Sequence, residues 1–187
     1  MMKTVLTFGI VAGAVTFAYS YIGIISFDGA DVTPQEMETA QLLGYVRYLL
    51  LLVGVVMAMI SYRNNTPGTI TYGKIFTVGL LVSLIIALFV GVMEYVYIAF
   101  TNPDFYEQYG RVMLEGLKQE GASAADLEKA RQQQQDYAWL ANPVATGAFY
   151  FVETAVLGTI FALIAAFFVR RQNQALPPEG TALNQSA

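Results

Sequence analysis

The sequence has 187 residues, of which 56% are hydrophobic and 13% are charged, whereas about a quarter of the residues of a soluble domain are charged. Its 14 acidic residues outnumber its 10 basic ones, so it lacks a basic stripe that would neutralise phosphates, and nucleic acid is not expected as a partner. The chain has neither histidine nor cysteine, which excludes Ser-His triads, HExxH zinc sites, thiolate chemistry and iron-sulfur clusters. We therefore expect no enzyme, no cofactor and no metal site.

Four segments are long and apolar enough to cross a bilayer core about 30 Å thick, which takes around 20 helical residues. We predict these spans at residues 4–27, 42–62, 75–100 and 144–169. Their apolar pattern does not show the period of two that barrel strands require. The predicted fold class is therefore all-α, a polytopic membrane protein with a four-transmembrane-helix bundle in contact with the lipid bilayer.

The first span has an alternative interpretation as a signal peptide. Lys3 gives a positive start, and Ala18-Tyr19-Ser20 loosely resembles a cleavage site between small residues. The apolar run is much longer than the roughly 7 to 15 residues of a signal-peptide core, so we interpret it as a retained helix.

The basic residues beside the spans predict the orientation, because cytoplasmic loops are enriched in Lys and Arg. The opposite loops are acidic: residues 101–143 carry seven acids and four bases, a net charge of minus three, and Asp28, Asp31, Glu36 and Glu38 lie between the first two spans. We therefore predict cytoplasmic N and C termini and a periplasmic segment at 101–143. The basic residues concerned are Lys3, Arg63, Lys74, Arg170 and Arg171.

The segment between the third and fourth spans has the pattern of an amphipathic helical hairpin. Asn102-Pro103-Asp104 is typical of a helix start, and Phe105, Tyr109 and Val112 then share one stripe that we expect to dock on the bundle. Gly121 is expected to end this helix. A second helix is predicted to start at Ser123, whose pairing with Asp126 resembles a capping box, and its glutamines 132–135 are expected to be solvated. Asn142-Pro143 then caps the fourth span.

The remaining tail, residues 172–187, has too few apolar residues to fold, so we predict a disordered cytoplasmic tail after a single membrane domain at residues 1–171.

Small residues at four-residue spacing predict the faces on which the helices pack, because close approach rather than hydrophobicity drives helix association in lipid. Gly9 and Gly13 in the first span fit the same pattern. The two longest stripes lie in the third and fourth spans and consist of Gly79, Ser83, Ala87 and Gly91, and of Thr154, Gly158, Ala162 and Ala166.

Three ionisable residues lie within the spans, where each costs roughly 2.5 to 3.5 kcal/mol near the bilayer centre. Arg47 and Glu94 lie about 9 Å, and Glu153 about 13 Å, from the outer ends of their helices, at 1.5 Å per residue. We predict a charge cluster in which Arg47 pairs with Glu94 and Glu153 is a spare carboxylate. Two roles are open: a structural lock between helices, or uptake of a proton or cation by Glu153.

Several of these motifs resemble a small bacterial four-helix membrane family, the domain of unknown function 4199. The resemblance covers residues 3–171 and is most specific in the turn from Arg63 to Lys74, with its Gly-Thr-Ile-Thr-Tyr-Gly-Lys string. Weaker matches are Leu43-Gly44-Tyr45, Pro103-Asp104-Phe105, and Asn142-Pro143 leading to Phe151-Val152-Glu153. The resemblance implies the four-helix topology and the inner membrane of a Gram-negative bacterium, and implies no activity.

The function expected from these observations is a non-enzymatic accessory or assembly subunit that binds a membrane protein partner or a second copy of the chain. The alternative is a small proton- or cation-coupled transporter or channel, because carboxylates within spans are often functional. In that case Glu94 and Glu153 would handle the ions.

Overall fold

The computed structural model describes residues 1–26, 34–68 and 70–171, and within these ranges the all-α prediction is confirmed. A π-helical turn at Tyr97–Thr101 extends the third helix, and a 3-10 turn at Ala138–Ala141 precedes the sixth. Asp28, Asp31 and the predicted tail at 172–187 lie outside the described residues. The helices are α1 Met2–Ser26, α2 Pro34–Asn64, α3 Tyr72–Val96, α4 Phe105–Gln119, α5 Ala124–Asp136 and α6 Pro143–Arg171.

Within the described residues, four helical segments are long and apolar enough to cross a membrane, by length and composition: Met2–Ile25, Leu42–Asn64, Tyr72–Thr101 and Pro143–Arg170. Each overlaps one of the predicted spans. α2 begins at Pro34, well before its predicted span, so Glu36 lies in the first turn of a helix instead of in a loop. Proline is favourable there because its missing N–H needs no partner, and the helix dipole stabilises a nearby acid.

Three of the predicted helix ends around the insertion are confirmed. Gly121, at a φ of +78°, follows α4, and its N–H donates to the Lys118 carbonyl at 3.1 Å. The Ser123 hydroxyl accepts a hydrogen bond from the Asp126 N–H at 3.2 Å and so caps α5. Asn142 caps α6, because its Oδ1 accepts from the N–H groups of residues 144 and 145 at 2.9 and 3.2 Å.

The predicted start of α4 at Asn102 is wrong. The π-helical turn carries α3 on to Thr101, and the Asn102 N–H donates back to the Tyr97 carbonyl at 2.9 Å. Asn102 therefore belongs to the end of the preceding helix, and its side chain donates to Gln108 Oε1 at 3.0 Å. α4 begins only at Phe105, after Asp104.

α3 is the helix on which the other three long helices pack. Its contact with α1 uses the two predicted glycines: a Cβ atom on Gly9 would lie 2.8 Å from Ile85 Cδ1, and one on Gly13 would lie 2.5 Å from the Phe89 ring. Real Cβ atoms do not approach other atoms so closely, so neither position has room for a side chain. The two helices therefore approach more closely than larger residues would permit.

The contact between α3 and α6 is antiparallel and runs along the two predicted stripes of small residues. All eight stripe residues are buried. The closest approach is at Gly91, where a Cβ atom would lie 2.7 Å from the carbonyl oxygen of Gly147, a residue outside the predicted stripes. The pairs of residues that face each other are Gly79 with Ala162, Ser83 with Gly158, and Gly91 with Gly147.

The hairpin formed by α4 and α5 closes through another glycine. A Cβ atom on Gly110 would lie 2.0 Å from Gln134 Nε2, so Gln134 packs against α4, whereas glutamines 132, 133 and 135 are exposed, as expected for a solvated face. Phe105 connects the hairpin to α3, because its ring lies edge-on to that of Tyr97 with the centroids 5.4 Å apart. Phe105 is half-buried and therefore anchors α4 on the extended end of α3.

The short turn between α2 and α3 begins with two side chains that bond back to the end of α2. The side chains of Asn65 and Thr66 donate to the carbonyls of Ser61 and Tyr62 at 2.8 and 2.7 Å, which are among the carbonyls that a helix end leaves without backbone partners. Gly68 adopts a φ of +82°, a conformation that other residues rarely adopt. These features explain the choice of Asn65, Thr66 and Gly68 in the turn.

We predict that Gly91→Val and Gly147→Val each lower the melting temperature of the protein in mild detergent. Each added side chain would meet the backbone oxygen of the opposite helix, which cannot move aside without separating α3 from α6. Overpacking of this kind costs about 1–3 kcal/mol.

Gly73→Val is the matched control for this measurement, because a Cβ atom on Gly73 meets nothing within 4 Å. A loss of stability in the control as large as that of the Gly91 and Gly147 variants would show that the close helix crossing is not the cause.

Candidate functional site

Three helices place the ionisable residues of the predicted cluster in contact. Arg47 and Tyr48 lie on α2, Glu94 near the end of α3, and Glu153 on α6. We call these four residues the charge cluster. Their meeting follows from the helix directions, since α2 and α6 run side by side in one direction and α3 runs against them.

Arg47 is the centre of the charge cluster. Its Nη1 donates to Glu94 Oε1 at 3.1 Å, and its Nη2 lies 3.4 Å from Glu153 Oε2 and 3.0 Å from the Tyr48 hydroxyl. Tyr48 in turn donates a hydrogen bond to the other oxygen of Glu153. One guanidinium therefore holds two carboxylates at once.

Burial differs between the two carboxylates. The exposed fraction of the side chain is 8% for Glu94, 12% for Arg47 and 26% for Glu153. Since attraction between charges strengthens as water is excluded, the contact with Glu94 is the better shielded of the two ion pairs.

Two further tyrosines lie beside the charge cluster, Tyr150 on α6 and Tyr106 on α4. The guanidinium carbon of Arg47 lies 5.0 Å from the ring centroids of both Tyr48 and Tyr150, within the range of cation–π attraction. Tyr106 of α4 contacts Tyr150 and Thr146, and burial, the largest cause, raises the pKa of the Tyr106 phenol. The hairpin therefore reaches the charge cluster through the contact of Tyr106 with Tyr150 of α6.

The sequence-based assignment of Glu153 as a spare carboxylate is wrong. It lies within ion-pair distance of Arg47 and accepts a hydrogen bond from Tyr48, whereas the expected contact between Arg47 and Glu94 is present. The reason is the rotation of α6. Successive helical residues differ by about 100°, so Thr154 faces α3 while Glu153 turns toward α2.

Sequence reasoning missed the tyrosines of the site. Tyr150 precedes Glu153 by three residues, a spacing that puts both on one face of α6, and Tyr48 follows Arg47 directly. Tyrosines near span ends are ordinarily interfacial anchors, so their role at this site was not distinguishable from that general use.

The cluster contains one positive and two negative side chains, a net charge of minus one when all three are ionised. Such a group joins helices and attracts a proton or cation. Within the described ranges, no group of three or more acidic, His or Cys side chains is placed to hold a metal ion.

A narrow cleft between α1 and α2 leads to Arg47. Its volume is about 90 Å³, and Ser20, Gly23, Gly44 and Arg47 are among the residues that line it. Added Cβ atoms on Gly23 and Gly44 would meet nothing within 4 Å, so both positions have room for a side chain.

The chain matches a known protein family. A family model described as "Protein of unknown function (DUF4199)" matches residues 7–171, which confirms the resemblance indicated by the sequence motifs. No curated protein and no solved structure matches the chain.

We predict that Arg47 is energetically coupled to both carboxylates. Arg47→Ala leaves two carboxylates without their shared cation, and loss of one partner of a buried pair costs roughly 3–5 kcal/mol. Double-mutant cycles that combine Arg47→Ala with Glu94→Gln, and with Glu153→Gln, should each recover part of that loss in detergent melting experiments.

The exposed pair Glu128 and Arg131, 3.5 Å apart on one face of α5, is the control cycle. Exposed pairs contribute about 0–1 kcal/mol, so its coupling should be close to zero. Strictly additive losses of stability from Arg47→Ala and Glu94→Gln would refute their pairing. If the losses are additive only in the cycle of Arg47→Ala with Glu153→Gln, Glu153 is a spare carboxylate after all.

Proposed function

Because the chain belongs to the family described as protein of unknown function DUF4199, its role has to be inferred from its own residues, and we propose a non-enzymatic accessory or assembly subunit of the bacterial inner membrane. In this role the four long helices form a transmembrane bundle, and the hairpin of α4 and α5 lies in the periplasm and presents a surface to a partner. The partner is another membrane protein or a second copy of the chain.

Membrane insertion is supported by the four long apolar helices and by the many large apolar side chains on their outer surfaces. On α6 alone Val152, Val156, Ile160 and Ile164 are exposed at regular helical spacing. A soluble protein rarely exposes apolar patches of this size, whereas a lipid-facing surface requires them.

The orientation is supported by the position of the basic residues. Arg63 at the end of α2 donates to the carbonyl of Val169 near the end of α6 at 3.4 Å, and Lys74 lies at the start of α3. These residues share one end of the helices, away from the hairpin. Cytoplasmic enrichment of Lys and Arg then favours cytoplasmic termini and a periplasmic hairpin.

The observation that carries the subunit role is the use of the intramembrane charges. Both carboxylates contact Arg47, and the charge cluster joins three helices. The charges thus have structural partners, and the hairpin presents many exposed polar side chains for recognition, Glu128, Arg131 and Gln133 among them. A chain without His or Cys also lacks the side chains that most enzyme mechanisms require.

Proton- or cation-coupled transport is the second candidate. It is favoured by the excess of negative charge in the cluster, because two carboxylates share one guanidinium. Intramembrane carboxylates in transporters are commonly the groups that take up the coupling ion.

We predict that the hairpin is periplasmic and the turn between α2 and α3 cytoplasmic. The natural absence of cysteine permits single cysteines at two exposed polar positions, Gln133→Cys and Asn65→Cys. An impermeant thiol reagent should label the first and not the second in intact spheroplasts, and both after lysis. Labelling of Asn65→Cys but not of Gln133→Cys would show that the orientation is the opposite of the predicted one.

We predict that the subunit role and the transport role separate in two experiments. A photo-crosslinking residue in place of Gln133 should give a discrete product in cells, whereas the same residue in place of Asn65 should not, because only the hairpin is the partner surface. Proteoliposomes with the purified protein should show no more proton flux than liposomes with the Glu94→Gln, Glu153→Gln double variant.

Flux that the double variant abolishes would establish transport instead. Equal crosslinking from both positions would remove the support for a specific hairpin surface.

A further inference from the structure

The charge cluster has an unbalanced composition that its structural role does not explain. A lock between helices needs one cation and one anion, yet Arg47 lies at 3.1 Å from Glu94 and at 3.4 Å from Glu153. Two carboxylates on one guanidinium repel each other, and the repulsion grows as water is excluded. Neutrality requires one further positive charge.

The groups that surround the two carboxylates come from several helices. α2 contributes Arg47 and Tyr48, α4 contributes Tyr106, and α6 contributes Tyr150 beside Glu153. From the continuation of α3, Tyr97 is buried one turn beyond Glu94, and α1 contributes the Ser20 hydroxyl across the cleft from Arg47. Arg47 is thus the one cationic side chain that the described residues place against the carboxylates.

A metal ion is a poor occupant for this place. Hard cations take six or more oxygen ligands, whereas three of the four carboxylate oxygens here already accept from Arg47 or Tyr48. The guanidinium would also repel a second cation. A proton needs only one carboxylate oxygen and leaves the remaining hydrogen bonds in place.

We propose that the charge cluster binds one exchangeable proton, shared by Glu94 and Glu153, and that this proton enters through the cleft between α1 and α2. The bound proton makes the cluster neutral. Either carboxylate can hold the proton, so it belongs to neither residue alone.

The cleft has the properties of an entrance for water. Its volume of about 90 Å³ accommodates about three waters at roughly 30 Å³ each. Ser20 lines the cleft, and its buried hydroxyl has no hydrogen-bond partner within the described residues; neither has the buried Arg47 Nε. An unsatisfied buried group costs free energy, so each of these two atoms would gain a hydrogen bond from a water that entered beside it.

Infrared spectroscopy of the purified wild-type chain tests the proton directly. An ester-free detergent removes lipid carbonyl absorption, and exposed carboxylates are ionised at neutral pH. We expect a carbonyl band of a protonated carboxylic acid at neutral pH that disappears at alkaline pH, with an amplitude of one group per chain. Absence of this band in the wild type would overturn the proposal, whatever any variant does.

Charge counting among variants provides the second test. Glu94→Gln and Glu153→Gln each leave one carboxylate for one guanidinium, so each should lose the whole band. Arg47→Gln leaves two carboxylates and no cation, so the band should double. Glu115→Gln, an exposed residue of α4, is the control and should keep the wild-type band. A single acid that survives either glutamate substitution would contradict shared binding.

The route is tested by the rate at which the acid band shifts after transfer into heavy water. Gly44→Leu should fill the open cleft and slow the exchange several-fold without a change in the amplitude of the band. Gly73→Leu, at the opposite end of the helices and likewise in open space, should exchange at the wild-type rate. Unchanged exchange in Gly44→Leu would exclude the cleft as the entrance.

Discussion

The contact of Arg47 with both Glu94 and Glu153 is the constraint on which the arrangement of the long helices depends. It joins α2, α3 and α6 at one depth, and each of these helices carries a group that is costly to leave alone in an apolar environment. Any slip of one helix along another would separate a charge from its partner. The charge cluster therefore fixes the register of helices whose apolar surfaces alone would permit several.

The contacts between small residues determine the distance between α3 and α6, which the charge cluster does not determine. At Gly91 and Gly147 the two backbones approach so closely that neither position has room for a side chain. Glu94 follows Gly91 by three residues, and Tyr150 follows Gly147 by three residues. The close crossing therefore positions Glu94 and Tyr150 at the charge cluster. Packing and electrostatics here support one geometry, which is typical of sequences that specify a single fold.

Much of this arrangement was predictable from the sequence because it depends on helical period. The apolar segments, the two stripes of small residues and the contact of Arg47 with Glu94 all follow from spacing along single helices. The caps at Ser123 and Asn142 follow from local hydrogen bonding. The resemblance also identified the family correctly.

The features that the sequence did not predict depend on the rotation of a helix about its axis and on the residue at which a helix ends. Glu153 lies one residue from the face that packs on α3, and only the position of α2 beside α6 shows that it meets Arg47. The π-helical turn carries α3 on to Thr101, so α4 starts at Phe105 and not at Asn102. Gly147 was missed because it stands outside the four-residue repeat of its helix.

The hairpin and the charge cluster are physically connected. Tyr106 of α4 contacts Tyr150, and the ring of Tyr150 lies 5.0 Å from the guanidinium carbon of Arg47. Phe105, the residue before Tyr106, anchors the same helix on Tyr97 at the end of α3. A displacement of α4 would therefore move the ring that shields Arg47, so a partner that binds the hairpin and a proton that binds the two carboxylates would act on the same side chains.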